Sequence, residues 1–211
     1  QTIGTIGALH WETFTAGNEV YALVANRSNG SKFTVNSYLY KWNIGSNCFG
    51  NGTKCATSKA GENALQTIGT ASAFDWQTFV VDNEIYALVA NQQNGTSHLI
   101  SSYLYKWNSG SNCFGNGTKC ATSNTGENAL QSIGTIGAVD WQTFVVGSDT
   151  YALVADLRDG KTYIQNSYLY KWNKVSNCFG NGTGCATSTA GENALQGIGT
   201  IGAVDWDTFT S

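Results

Sequence analysis

The chain has 211 residues, a formal net charge of -3 and only 12% charged side chains. That balance excludes the clustered Lys and Arg of a nucleic-acid interface, and no apolar run reaches the roughly 18 residues a membrane-spanning helix needs. With 25 Gly and no Pro, the turns must be built by Gly, Asn and Ser.

In chain order, residues 1–16 carry Gln-x-Ile-Gly-Thr followed by Trp-x-x-Phe, and the same segment recurs from Gln66, Gln131 and Gln196. It divides at Gly-Ala or Ser-Ala into two short strands. A turn follows at Gly17-Asn18, at Asp82-Asn83 and at Gly147-Ser148. Next comes a strand, residues 20–25, 85–90 and 150–155, in which both alternating faces are apolar. Such a strand must be covered on both sides. A polar hairpin loop (26–32, 91–97, 156–161) varies most between copies.

The fourth feature is Ser-Tyr-Leu-Tyr-Lys-Trp-Asn at 37–43, 102–108 and 167–173. It places Tyr38, Tyr40 and Trp42 on one face, an aromatic ladder suited to packing between sheets. A loop closes each unit: Asn-Cys-Phe-Gly-Asn-Gly-Thr-x-Cys at 47–55, 112–120 and 177–185. The spacing is 65 residues each time, so the chain divides into repeats 1–65, 66–130 and 131–195 with a partial fourth at 196–211. A fixed period of this size signals a repeat architecture. No stretch has sustained helical periodicity, so the expected fold is all-β, with units of about four antiparallel strands arranged as β-propeller-type blades. A β-trefoil is the runner-up, because there are three repeats. Propellers close with about four to eight blades, so either chains associate or the sequence is a window from a longer repeat protein. The absence of Met and of a signal-peptide pattern also reads as mature or partial protein.

The six Cys form three pairs, Cys48/Cys55, Cys113/Cys120 and Cys178/Cys185. Zinc prefers shorter knuckles and further ligands, so local disulfides and an oxidising, secreted setting are the better reading. No metal site and no cofactor are expected. Sequons occur at Asn26, Asn29, Asn51, Asn94, Asn116 and Asn181, and Asn51, Asn116 and Asn181 share one place inside the Cys-closed loop. These are candidate glycan sites, against the alternative that Asn-Gly simply makes the turn. Asp75, Asp140 and Asp205 precede Trp where the first repeat has His10, and the bland role is to satisfy loop backbone. Glu62, Glu127 and Glu192 at the loop exit have the same bland reading. No nucleophile, base and orienting group come together, and two non-equivalent His supply little general-base capacity, so no enzymatic activity is expected.

The ordered set Trp-x-x-Phe, Tyr-Ala-Leu-Val-Ala, Ser-Tyr-Leu-Tyr-Lys-Trp-Asn and Leu-Gln-x-Ile-Gly resembles the EAR repeat (epilepsy-associated, or EPTP), found in leucine-rich glioma-inactivated proteins. The resemblance covers nearly everything outside the Cys-closed loop, which departs from it as an insertion. It implies propeller blades in a secreted, non-catalytic recognition or adhesion module, with an extracellular protein or a glycan as partner. The alternative is a structural repeat protein that polymerises into an extracellular fibre or coat, because near-identical repeats suit lattice contacts. The Cys-closed loop is nearly invariant although it should be exposed, so Phe49, Phe114 and Phe179 either tuck under the loop or are candidates for assembly or partner contacts.

Overall fold

A computed structural model describes residues 1–209. Fifteen strands form three antiparallel sheets of five strands each, and no helix occurs among the described residues. The first blade runs β1 (Ala8–Ala16), β2 (Glu19–Asn26) and β3 (Thr34–Asn43), and its outer position is shared by β4 (Cys48–Gly50) and β5 (Gln66–Ala71). The second repeats this with β6 (Ala73–Val81), β7 (Glu84–Asn91), β8 (Leu99–Asn108), β9 (Cys113–Gly115) and β10 (Gln131–Ile136). The third uses β11 (Ala138–Val146), β12 (Asp149–Asp156), β13 (Ile164–Asn173), β14 (Cys178–Gly180) and β15 (Gln196–Ile201). Three separate sheets packed side by side are propeller-type blades, which excludes the trefoil.

β1 packs on β6 and β6 on β11, so the Trp-x-x-Phe strands form the hub. Each blade takes its outer strand from the start of the following 65-residue unit. Register then assigns the two rims. Ala8 pairs with Asn26 and Thr34 with Ala71, so the hairpin loops and blade-to-blade links share one rim. The hub-side turns and Cys-closed loops share the other.

The middle strand of blade 2 is buried on both faces because each face meets another blade. One face of blade 1 (Phe14, Tyr21, Leu23, Ala25, Leu39, Ile68) packs on Trp76, Val89, Tyr105, Trp107 and Phe114 of blade 2. Blade 2 presents Phe79, Tyr86, Leu88, Leu104 and Ile133 to Trp141, Val154, Tyr170, Trp172 and Phe179 of blade 3. At the centre of each interface are four aromatic rings. Trp107 lies edge-on to Phe14 and Tyr21 at 5.3 and 4.8 Å between centroids, and Trp172 does the same to Phe79 and Tyr86. Such pairs contribute roughly 0.5–1.5 kcal/mol each beyond area burial.

Each blade link needs one residue with positive φ, supplied by Gly7, Gly137 and Gly202 but by Ser72 (φ 52°) between blades 1 and 2.

Candidate functional site

The Cys-closed rim is built from the loop inward. Disulfides join Cys48 to Cys55, Cys113 to Cys120 and Cys178 to Cys185. Inside each ring an Asn side chain makes the turn: Asn51 Oδ1 accepts from the Thr53 and Lys54 amides at 3.0 and 2.9 Å. Gly52 sits at φ 92°, a left-handed conformation that favours Gly. Gly50 is required for a different reason, because a Cβ there would collide with the Lys54 carbonyl. At the loop exit, Thr57, Thr122 and Thr187 donate to Glu62, Glu127 and Glu192, so these acids close their own loop.

Phe114 and Phe179 are fully buried, facing neither solvent nor an external partner. They belong to the ring clusters between blades, and this corrects their assignment as outward contacts. Phe49 differs. It is half-buried against Trp42 on the outer side of blade 1. The near-invariance of the loop follows from this internal packing and from one polar contact absent from the sequence reading. Gln66 Nε2 donates to the Phe114 and Ala121 carbonyls at 2.7 and 3.0 Å, and Gln131 does the same to Phe179 and Ala186. Gln1 makes these bonds to Phe49 and Ala56. The recurring Gln was the visible signal, but its partners lie in the next blade.

On the opposite rim the hairpin loops differ in sequence and share a turn. Asn29, Asn94 and Asp159 each accept two backbone amides two and three residues on. Arg27 lies 5.2 Å over the Phe74 ring of the next blade, and Arg158 lies 5.8 Å over Tyr163. Most of the aromatic residues are occupied between or within the blades; among the described residues Tyr163 is the large ring left exposed on this rim, and Trp11 and Phe209 are exposed elsewhere.

The sequons fall into two groups. Asn26 is fully buried, accepts the Ile6 amide and donates to the Asn36 carbonyl at 2.8 Å. A sugar on that nitrogen would displace the bond and open the core, so Asn26 is corrected to a structural residue. Asn29, Asn94, Asn51, Asn116 and Asn181 lie in loops, with their oxygens engaged in turns.

At the hub, His10 Nδ1 lies 2.7 Å from Asp75, and this bond raises the His10 pKa despite the opposing effect of burial. Asp75 and Asp140 each accept the Trp amide of the next hub strand, at 3.4 Å from Trp141 and 3.1 Å from Trp206. These acids serve backbone. Burial, with Asp75 and Asp205 nearby, pushes Asp140 up to about 7. Among the described residues no three His, Cys, Asp or Glu side chains are grouped to hold a metal. Asp156 stands where blades 1 and 2 have Asn26 and Asn91. It is fully buried, and its Oδ1 accepts the Ile136 amide while Oδ2 has no partner among the described residues. Burial pushes this carboxyl up to about 7.

The EPTP domain matches residues 1–43, 64–108 and 129–173, well over half of the chain, and leaves out the Cys-closed loops. The thrombospondin-type laminin G domain and EAR repeat-containing protein of Mus musculus is 34% identical over 175 residues, and that of Homo sapiens 34% over 170. These matches cover 82% and 81% of this chain but 22% of each relative's length. Matching strands, the hub Trp and the cross-blade aromatic clusters account for the same residues in all three repeats, and the chain belongs to the EPTP (EAR) repeat family.

Proposed function

We propose that this chain is a non-enzymatic, extracellular recognition or adhesion module that presents its hairpin-loop rim to a protein or glycan partner. The observation that carries this reading is the contrast between the two rims. The Cys-closed loops of blades 2 and 3 have their Phe rings and carbonyls engaged between blades, and the loop of blade 1 has its carbonyls held by Gln1. The hairpin loops 27–33, 92–98 and 157–163 share one turn geometry but differ in side chains. Freedom to vary on a rigid scaffold suits a recognition surface. Three disulfides and relatives named for thrombospondin-type laminin G domains support an oxidising, extracellular setting. A sugar ligand is the finer reading, for which Tyr163 with Arg158 offers an exposed stacking face.

The test is binding of the chain to arrays of extracellular proteins and of glycans. Replacing the three hairpin loops by Gly-Ser segments of equal length should abolish any interaction found. An interaction that survives this replacement places recognition elsewhere.

The second reading, a structural protein that polymerises into a fibre or coat, is favoured by one observation. Among the described residues, one face of blade 1 and one face of blade 3 have no other blade packed on them.

A further inference from the structure

Every blade has two different faces, and the structure shows twice how they mate. The leading face carries a stacked Phe-Tyr pair, Phe14–Tyr21 or Phe79–Tyr86, together with Leu39 and Ile68 or Leu104 and Ile133. The trailing face carries an edge-on Trp-Phe pair, Trp107–Phe114 or Trp172–Phe179, and the loop carbonyls that receive the Gln side chain.

Blade 3 holds the leading-face residues with no further blade against them among the described residues. Phe144 and Tyr151 stack at 5.3 Å, but Leu169 and Ile198 are half-exposed, Val146 is open and Gln196 is exposed. Blade 1 holds the trailing face in the same condition, with Trp42–Phe49 edge-on at 5.0 Å and half-exposed. Trp11 is 38% exposed there, whereas its equivalents Trp76 and Trp141 are 1% and 0%.

Two short segments lie over these faces. Residues 1–6 take the place of a preceding outer strand on blade 1 through Gln1 and the Gly4–Thr57 backbone bond. Residues 203–209 take the place of a following hub strand on blade 3. Neither is paired as a strand. The second is held by Trp206 on Asp140 and on the Val154 carbonyl and by Gln142 on Thr208, with Val204 and Phe209 left in solvent.

We propose that the leading face of blade 3 and the trailing face of blade 1 mate between copies of this chain, head to tail, in the geometry of the internal blade interfaces. The strands of the incoming copy replace the two covering segments. Residues 1–16 and 196–211 are near-copies in sequence, so β1 of one copy fits where 203–209 of the other lies, and β15 fits where 1–6 lies. The exchange replaces an unpaired segment by a strand already anchored in a sheet.

Charge agrees with this direction. Asp140 has Asp75 and Asp205 as acidic neighbours along the hub. In the head-to-tail arrangement His10 takes the place of Asp205, and a facing carboxylate is exchanged for the type of contact His10 makes with Asp75. Gln196 then meets the Phe49 and Ala56 carbonyls that Gln1 holds in the single chain. The proposal rests on the blade faces and is independent of what the hairpin rim binds.

Analytical ultracentrifugation of the full chain should show mass rising with concentration. Phe144→Lys blocks one face and Trp42→Lys the other, and each variant alone should fail to grow into larger species. Mixed, they should form a 1:1 complex through the one pair of intact faces and nothing larger. Circular dichroism checks that each variant is folded. Val146→Lys is a second leading-face variant whose side chain is already exposed, although its equivalent Val81 is buried between blades. A chain that stays monomeric at every concentration overturns the proposal, because its faces are then satisfied by 1–6 and 203–209 or belong to further repeats of a longer chain. Association that Phe144→Lys abolishes and Trp42→Lys leaves intact is like-to-like pairing and overturns it as well.

Discussion

Gln66 on the outer strand of blade 1 holds Phe114 of blade 2 by both atoms of its amide. Its nitrogen donates to the Phe114 carbonyl at 2.7 Å, and its oxygen accepts the Phe114 amide at 2.9 Å. The same side chain reaches the Ala121 carbonyl. All these groups are buried, so the bonds couple an outer strand to the neighbouring loop without water.

Gln66→Ala should therefore cost about 3 kcal/mol, because it leaves a buried amide and two carbonyls short of partners. Gln196 has the same sequence context but is exposed and without a side-chain partner among the described residues. Gln196→Ala is expected to change stability by less than about 0.5 kcal/mol. Urea melts of both variants check the contrast, and equal losses would show that the Gln acts through its own strand.

Ser72 is the non-Gly residue at a blade link, at φ 52°, and its buried hydroxyl has no partner among the described residues. The left-handed backbone costs an L side chain about 1 kcal/mol. Ser72→Gly should raise stability by about that amount and move the thermal midpoint upward. No change, or a loss, would mean the serine satisfies a contact beyond those described.

Asp156 sets a pH dependence. In blades 1 and 2 the equivalent Asn nitrogens donate to the Asn36 and Ser101 carbonyls, a bond a carboxylate cannot make. The folded carboxyl, pushed up to about 7 by burial, keeps a proton that an unfolded Asp releases near 3.9. Its contribution to stability is complete below about pH 4, declines as pH rises to about 7 and is flat above. Asp156→Asn should remove this decline and stabilise the protein at pH 8 by roughly 1–3 kcal/mol. The Asp156→Asn variant will retain the share of the wild-type slope that comes from Asp140, which is raised in the same direction. Melting both proteins across pH 4–8 tests this, and parallel curves would refute it.

Expression in a glycosylating eukaryotic host should place sugars on Asn94, Asn116 and Asn181, whose nitrogens lie in loops, and leave Asn26 unmodified. Peptide mass mapping of the folded, secreted protein reads each site. An occupied Asn26 in folded protein would contradict its buried place beside Asn36.

Replacing Cys113 and Cys120 by Ala should cost about 2.5 kcal/mol through loop closure. It should also loosen the blade interface, because the loop carries Phe114. Reduced aromatic circular dichroism beside unchanged strand signal is the expected reading. Loss of the strand signal itself would mean the ring is needed to form the blade.

Much of the blade was written locally. Five consecutive apolar residues at 21–25 cannot be strand without cover on both faces, and Tyr38, Tyr40 and Trp42 alternate with Leu39 and Lys41. The 65-residue period required that whatever one unit does, its neighbours do too. These are properties of neighbouring residues and of repetition, which the chain carries wherever it folds.

What only the tertiary structure decided is which residue meets which across the blades. Phe14 and Phe114 are ring neighbours although 100 residues apart, and no local pattern distinguishes a Phe aimed at solvent from one aimed at the next sheet. The same holds for Asn26 and Asp156. A sequon and an acid in a polar loop look exposed, but both end a strand in the closed interior, where solvent exclusion converts them into an obligatory donor and a raised carboxyl. Burial depends on the summed approach of distant surfaces, and that sum exists only once the blades have stacked.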